Sequence, residues 1–241
     1  MKYFNETYEK ILKKYKIKSC NLRQEFDFIL ANKKIEEIFD DLHINGILSD
    51  VLPEFLPCIN LDQKNIHHAY PVHTHILKAV KGIQANKQIK ENKTILLWTM
   101  LLHDIGKPVA LNKNLKTHKR YRFTNHATYS AKLANKILKR FSFSSFDRKK
   151  IVTLIRHHEF FRYIKLYNME TEGNRLNTKH VFGLINKIGV ENFELLLACH
   201  KADYEAQSDY WHEHKNTVNA RANDMLEYYK KLKKAKMKVN F

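Results

Sequence analysis

Hydrophobic residues recur along this chain at intervals of three and four positions, the spacing of one face of an α-helix. Ile151, Leu154 and Ile155, followed by His158, show this pattern clearly. The chain contains only 6 Gly and 4 Pro, so the turn signals that separate short β-strands are nearly absent. The sequence therefore predicts an all-α protein that folds as a multi-helix bundle.

The predicted helices divide the chain into three parts. Residues 1–50 form an N-terminal helical extension, which contains an Asn-Gly turn at 45–46. Residues 51–218 form the main domain, which begins with a Pro-bounded linker at 51–57. Residues 219–241 form a basic C-terminal helix that is rich in lysine.

The composition favours a folded protein with an anionic partner. Hydrophobic residues make up 44% of the 241 residues, enough to bury a large core. The formal charge is +18, and a polyanionic partner, either an anionic substrate or a nucleic acid, is the simplest reason for such an excess. The alternative is that codon bias in an A/T-rich genome has filled solvated helix faces with lysine.

Cysteine usage and hydropathy limit the compartment. Cys20, Cys58 and Cys199 lie far apart, without the Cys-x-x-Cys spacing of a zinc knuckle or the pattern of a disulfide framework. An odd number of isolated cysteines suits a reducing compartment. The sequence shows no signal peptide and no apolar run long enough to span a membrane. We therefore expect a cytoplasmic protein.

A histidine and an aspartate, His103 and Asp104, stand side by side after the apolar run 94–102. Polar groups in such surroundings cost free energy unless a partner satisfies them, and a divalent metal would do so. Gly106 and Pro108 interrupt the helix, which puts the pair at a helix end facing a loop. The alternative is an ordinary solvated helix terminus.

A predicted helix over 71–84 begins with a proline, a residue favoured in the first turn. His75 shares a stripe of this helix with Val72 and Ile76, and we choose it as a metal ligand. His73 lies on the neighbouring stripe, so periodicity alone does not exclude it.

A second helix is predicted over 147–159, with Asp147 as its N-cap. His158 lies on its apolar face, and we choose it as a ligand. His157 is rotated from that position by about 100° around the helix, so we take it as a substrate contact.

Two more predicted helices each supply one candidate ligand. Asp203, in the helix 192–207, shares an apolar stripe and therefore needs a cation or hydrogen-bond donors. The alternative is a buried salt bridge to a lysine. His126 opens the helix 126–139 behind Asn125, a good capping residue. The alternative for His126 is an isolated histidine without a metal.

These ligand types suit one or two divalent ions, namely Mn, Fe, Co, Ni, Zn or Mg. The primary metal would be held by His75, His103, Asp104 and Asp203, and a second site would be held or completed by His126 and His158. Asp104 could bridge two ions. A pair about 3.5–4 Å apart clamps the attacking and leaving oxygens of phosphoryl transfer. His126 and His158 could instead contact the substrate.

Basic residues near these positions suit a phosphate substrate. Lys107 could neutralise charge on a phosphate oxygen, and its alternative is an ordinary surface lysine. A basic loop at 111–125 carries Lys119, Arg120 and Arg122 beside aromatic residues, a combination suited to phosphates and bases. The alternative is a solvated loop.

The order His, His-Asp, His, His, Asp on separate helices resembles the HD-domain superfamily of metal-dependent phosphohydrolases. The chain also resembles, over roughly residues 35 to 210, the C-terminal HD region of bacterial tRNA nucleotidyltransferases, the CCA-adding enzymes. The residues that carry this second resemblance are 51–54, Gln63, 67–75, 103–108, 122–127, 130–132, 137–138, 201–203 and 206–207.

Some positions depart from that family's pattern. Pro71 and Asn125 stand where the family commonly has Asp and Gly, and neither change removes a proposed ligand. The Gly-Ser or Gly-Gly loop with a following Asp-x-Asp, which marks the nucleotidyltransferase head, is not found. Nucleotide addition is therefore not expected.

The resemblance implies an HD-domain bundle and a metal-dependent phosphohydrolase of the phosphatase or 2′,3′-cyclic phosphodiesterase type. Its substrate would be a nucleotide or a tRNA-like RNA end, with Asp104 and Lys107 as catalytic residues. Two alternatives stay open. One is a non-catalytic RNA-binding module that has lost its polymerase, and the other is a hydrolase of free small nucleotides.

Overall fold

A computed structural model describes residues 6–64, 69–114, 123–160 and 178–207, with residues 224, 226, 227, 229–231 and 234. These residues form α-helices and one short 3-10 helix, and none of them lies in a β-strand. The all-α prediction is therefore confirmed. Within these residues, no helix is long and apolar enough to span a membrane.

The N-terminal part consists of short helices: α1 (Glu6–Lys14), α2 (Leu22–Ala31), α3 (Ile35–Ile44), α4 (Ile47–Val51) and a 3-10 helix (Pro53–Cys58). The predicted turn at 45–46 is confirmed, with Gly46 in the left-handed conformation at a φ of 73°. The predicted linker at 51–57 is wrong. A proline fits the first turn of a helix, and Phe55 and Cys58 anchor this segment in the core.

The N-terminal helices pack directly against the rest of the bundle. Phe26, Trp98 and Phe141 form an aromatic cluster, with ring centroids 4.9 to 6.1 Å apart. Trp98 Nε1 donates to Asp27 Oδ1 at 2.6 Å. Described residues on both sides of position 50 therefore share one hydrophobic core, and the domain boundaries after residues 50 and 218 stay predictions.

The central part contains α5 (Val72–Ala85), α6 (Lys93–Leu102), α7 (Lys107–Asn114), α8 (His126–Arg140), α9 (Ser145–His157), α10 (Thr178–Ile188) and α11 (Val190–Glu205). α6 packs against α5, α9 and α11, and α8 packs along α9. Each residue from Ile95 to Leu102 is buried, because α6 has neighbours on every side. α7 continues to Asn114, so the predicted loop at 111–125 begins later than expected.

Two predicted helix caps differ from the structure. Ser144, not Asp147, caps α9: its Oγ accepts from the Asp147 backbone N–H at 3.0 Å and donates to the Asp147 carboxylate at 2.9 Å. The acid is thus the third helical residue of a reciprocal cap. Asn125 precedes α8 without a side-chain cap, because its backbone is left-handed with a φ of 62°, a conformation that asparagine tolerates.

The described residues of the predicted C-terminal helix are helical and pack on α10 and α11. Tyr229 is buried, its hydroxyl donates to Asn186 Oδ1 at 2.6 Å, and its ring contacts Phe182. Lys230 Nζ lies 2.6 Å from Glu194 Oε1. This segment therefore contributes apolar contacts as well as positive charge.

Candidate metal centre

Six buried side chains from separate elements meet at one point inside the bundle. They come from α5, the turn after α6, the start of α8, the residue after α9, and α11, and they are His75, His103, Asp104, His126, His158 and Asp203. All six were predicted as ligands. They form two groups whose ligand atoms lie within 4.8 Å of one another: His75, His103 and Asp203, and Asp104, His126 and His158.

The first group is held together by Asp203. Its Oδ1 lies 3.0 Å from His75 Nε2 and 3.5 Å from His103 Nε2. The two histidine Nε2 atoms are 3.2 Å apart. Two imidazoles and one carboxylate are a donor set that suits a divalent transition metal.

The second group is connected to the first through Asp104. Asp104 Oδ2 lies 3.2 Å from His75 Nε2 and 3.3 Å from His103 Nε2. Asp104 Oδ1 lies 3.0 Å from His126 Nε2 and 3.7 Å from His158 Nε2. One carboxylate therefore faces both groups, which is the arrangement that a bridging ligand requires.

The four histidines are oriented by backbone carbonyls. Each Nδ1 faces one carbonyl oxygen: His75 that of Ala206 at 3.2 Å, and His103 that of Met100 at 2.7 Å. His126 faces that of Phe123 at 2.8 Å, and His158 that of Ile155 at 2.7 Å. A carbonyl only accepts, so each Nδ1 carries a proton, and in the neutral imidazole, the form that binds a metal, each Nε2 presents a lone pair. Such second contacts are typical of metal-ligating histidines.

The centre lacks groups that would satisfy these lone pairs. The Nε2 atoms of His126 and His158 are 3.2 Å apart, like those of the first group. Asp104 Oδ1 is buried and has no hydrogen-bond partner among the described residues. Facing imidazole lone pairs and an unsatisfied buried carboxylate oxygen cost free energy unless a cation, either a proton or a divalent metal, lies between them. The donor set therefore fits one or two divalent metals.

Electrostatic coupling within the centre is strong. Burial favours the neutral imidazole of His103, but the Asp104 and Asp203 carboxylates outweigh it and raise the pKa of His103 to about 10. The pKa of Asp104 is held well below its usual value, against its burial, by His103 and Lys107. Burial, together with the neighbouring His103 and His126 imidazoles, lowers the pKa of His158 to about 3.

Lys107 is buried and reaches the centre. Its Nζ lies 2.6 Å from Asp104 Oδ2 and donates to Gln63 Oε1 at 2.8 Å. Gln63 is itself buried, and its Nε2 donates to the Tyr70 carbonyl at 3.0 Å. The prediction that Lys107 accompanies the pair is consistent with this position, and the alternative of a surface lysine is wrong.

The turn after α6 depends on a close approach to α8. The Gly106 backbone N–H donates to Ser130 Oγ at 2.9 Å. A Cβ on Gly106 would lie 2.3 Å from the Ser130 nitrogen. Only glycine allows the turn that carries His103 and Asp104 to pack this closely against the helix that carries His126.

The other predicted residues fall outside the cluster. His73 Nδ1 accepts from the Asn60 backbone N–H at 3.2 Å. His157 is half-buried beside the centre, and burial together with Lys187 and Arg156 lowers its pKa. The predicted substrate contacts Lys119, Arg120 and Arg122 lie outside the described residues.

Sequence reasoning did not identify every residue around the centre. Gln63 holds Lys107 from 44 positions away, and its only sequence signal is its place in the family resemblance. Ser130 lies on the α8 stripe that faces the Gly106 turn. Glu159 Oε2 lies 3.6 Å from His126 Nδ1. Glu159 is the next residue after His158, so its place beside the centre follows from that of His158.

Comparisons with known proteins agree with this geometry. A family model described as the HD domain matches residues 67–209. Bifunctional uridylyltransferase/uridylyl-removing enzymes are similar: that of Ruegeria pomeroyi is 26% identical over 147 residues, covering 55% of this chain and 15% of that protein. That of Rhodopseudomonas palustris is 24% identical over 146 residues, covering 54% of this chain and 14% of that protein.

A tRNA nucleotidyltransferase is similar to this chain as well. The A-adding tRNA nucleotidyltransferase of Deinococcus radiodurans is 28% identical over 137 residues, covering 57% of this chain and 31% of that protein. The chain thus spans 14 to 31% of the length of these curated relatives.

Proposed function

The chain belongs to the HD-domain family, and on that premise we propose that it hydrolyses a phosphate ester on a nucleotide or on an RNA end. HD domains are typically metal-dependent phosphohydrolases. One observation carries the proposal: two groups of three buried ligands, whose histidine lone pairs all face inward, lie on either side of the Asp104 carboxylate.

The metal would be held by residues of both groups. His75, His103 and Asp203 offer one set of ligand atoms, His126 and His158 offer another, and Asp104 faces both. Bound divalent metal supplies Lewis acidity to phosphate oxygens and lowers the pKa of water toward neutrality. Mn, Ni, Co, Fe, Mg and Zn all accept imidazole and carboxylate ligands, so the donor set does not select one of them.

Lys107 would act on the substrate phosphate. An ammonium group has three donors, and the contacts to Asp104 Oδ2 and Gln63 Oε1 use two of them. The third donor has no hydrogen-bond partner among the described residues, and it would serve a phosphate oxygen that approaches Asp104. Gln63 would be a positioning residue, because it holds the ammonium beside the carboxylate without lying at the ligand cluster.

The substrate class rests on charge and on the relatives. The +18 charge of the chain favours a polyanion. A uridylyl group is a nucleoside monophosphate, so the uridylyl-removing relatives are named for cleaving a phosphoester bond. The tRNA nucleotidyltransferase relative is named for work on an RNA end. Both names concern a nucleotidyl group and the second concerns tRNA, so we propose a nucleotide or an RNA terminus as the substrate.

The test is hydrolysis by metal-stripped protein. We would offer 2′,3′-cyclic AMP and a 3′-phosphorylated RNA oligonucleotide, and add Mn, Ni, Co, Mg and Zn back singly. We expect turnover that depends on metal and disappears in Asp104→Ala. The matched control, Asp50→Ala, removes an exposed carboxylate of α4 and should leave turnover unchanged. Absence of turnover with every metal would contradict the proposal.

A non-catalytic RNA-binding module is the second candidate, and the large positive charge favours it. Such a module would bind RNA equally well in wild-type protein and in Asp104→Ala, without turnover in either. A hydrolase of free small nucleotides would differ in its salt dependence, because a single mononucleotide contacts few phosphates and shows a shallow slope of affinity against salt.

A further inference from the structure

A cleft of about 540 Å³ opens between α8, α9 and α10. Six of the residues that line it are basic: Lys132, Arg148, Lys149, Arg156, His157 and Lys187. No described residue that lines the cleft is acidic. The cleft was not apparent from the sequence, because its residues come from three helices between positions 131 and 188.

The five lysines and arginines of the cleft have no acidic partner among the described residues. Across the described part of the chain, none of them forms a salt bridge, whereas several cations elsewhere do. Lys14 lies 2.7 Å from Asp41, and Lys81 lies 2.7 Å from Glu36. Five cations that converge on one concave surface without carboxylates repel one another, and an external anion would relieve that repulsion.

The shape of the cleft fits a chain of phosphates. The positions of α9 that line it recur at helical spacing, at 145, 148, 149, 152, 153 and 156. At about 1.5 Å per residue, this face is roughly 16 Å long. A stacked single strand, at about 3.4 Å per nucleotide, would extend over roughly five nucleotides along it. A mononucleotide would contact only part of the charge.

An exposed aromatic ring stands beside the cleft. Phe146 is 71% exposed at the start of α9, next to the lining residue Ser145. Lys150, which lies outside the cleft and pairs with Glu191, has its Nζ 5.6 Å from the centre of this ring. Exposure of a phenylalanine has a cost in water, and aromatic rings beside basic grooves stack nucleic acid bases.

We propose that this cleft binds a single-stranded polynucleotide, with the cations on its phosphates and Phe146 against a base. His157 lines the cleft and the next residue, His158, belongs to the candidate metal centre. A strand in the cleft would therefore have its end close to that centre. The claim that the cleft anchors the substrate rests on the proposed function. The claim that the cleft binds a strand does not depend on that function.

The concave shape of the cleft favours a polynucleotide strand over an anionic membrane as its ligand. Arg148 is half-buried within the cleft, where a strand can reach it and a flat lipid surface cannot. Binding to phosphatidylserine vesicles that is lost with the cleft cations, while the oligonucleotide is unaffected, would overturn the proposal.

The test is fluorescence anisotropy of a labelled octa-uridylate with the full chain in EDTA. Lys149→Glu with Arg156→Glu should weaken binding at least tenfold at low salt. Each lost phosphate contact lowers the slope of log affinity against log salt by about 0.7, so the slope should fall by about 1.4. The control, Lys33→Glu with Lys87→Glu, makes the same change of net charge at exposed lysines outside the cleft. It should keep most of the affinity.

The aromatic contact has its own test. Phe146→Ala should weaken octa-uridylate binding about tenfold and leave binding to an abasic strand of equal length unchanged, because stacking needs a base. Equal losses for both strands would contradict the stacking contact. Circular dichroism should show that each variant keeps the wild-type helix content, since all these side chains are on the surface.

The outcomes separate the cleft from the hydrolase. In one outcome, the cleft substitutions weaken strand binding and the protein shows no turnover with any metal. This result would support the proposal that the cleft binds a strand, and it would contradict the proposed function. In another outcome, turnover depends on metal, but the control pair weakens strand binding as much as the cleft pair does. This result would support the hydrolase and overturn the proposal that the cleft binds a strand. Asp104→Ala should bind the strand as wild type does, because Asp104 lies in the buried centre.

Discussion

Gly106 connects the turn that carries His103 and Asp104 to α8, and its substitution tests how the candidate centre is assembled. A Cβ at this position would lie 2.3 Å from the Ser130 nitrogen and 2.8 Å from the His126 carbonyl oxygen. Both atoms belong to backbone, which cannot rotate away as a side chain can. Gly106→Ala therefore forces the turn and α8 apart.

The displacement can be estimated from contact distances. Ordinary contact begins near 3.4 Å, so the methyl group needs about 1.1 Å more space than the 2.3 Å available. Overpacking of this kind costs about 3 kcal/mol, the upper end of its usual range. His126 opens α8 and lies 3.0 Å from Asp104 Oδ1. A shift of about 1 Å exceeds the roughly 0.2 Å tolerance of metal coordination.

The assay is urea unfolding with and without metal, together with calorimetric titration of metal. Gly106→Ala should lower the free energy of unfolding by about 3 kcal/mol and the Tm by roughly 6–12 °C, and it should weaken metal binding. Gly183→Ala is the matched control, since its added Cβ would meet no described atom within 4 Å apart from those of its chain neighbours and its own helix backbone. Within α10 it should stabilise by about 0.5–1 kcal/mol. Wild-type stability and metal affinity in Gly106→Ala would refute the reasoning.

Three further predictions address other parts of the structure. Lys107→Met should lower kcat about a hundredfold while metal content, measured by atomic emission, stays unchanged; loss of the metal as well would mean that the lysine is structural. Tyr8→Phe removes the hydroxyl that donates to buried Glu25 at 3.0 Å, so it should cost roughly 2 kcal/mol in denaturant unfolding, and a cost below 0.5 kcal/mol would contradict that role. Partial burial would raise the pKa of Glu54, but Arg140 outweighs it and holds that pKa below its usual value. The pair therefore stabilises the fold fully above about pH 4.5, and this stabilisation decreases as the pH falls. The advantage of wild type over Glu54→Gln should therefore shrink between pH 5 and pH 3, and a constant difference would contradict it.

Helical periodicity predicted the inward-facing residues of this centre because a helix has a fixed angular step. His75, His158 and Asp203 each shared an apolar stripe, and each is buried in the structure. The adjacent His73 and His157 are only partly buried. Periodicity assigned a face to each of them, and it could not show that the buried residues of separate helices meet.

Features that depend on distant contacts were beyond sequence reasoning. The facing Nε2 atoms, the Ala206 carbonyl that orients His75 and the Gln63 contact to Lys107 join elements far apart in the chain. Local signals also misled at two positions. Asp147 proved to be the third residue of α9 rather than its cap, and the proline-rich stretch 51–57 is helical because its apolar side chains anchor it in the core.

The central claim is that the buried cluster around Asp104 holds metal for hydrolysis. The most direct measurement is metal content per chain, determined alongside turnover of 2′,3′-cyclic AMP, before and after chelation. The account predicts bound divalent metal, turnover that chelation abolishes and added metal restores, and loss of both in Asp104→Ala. A chain that binds no divalent metal, or turnover that survives chelation, would contradict it.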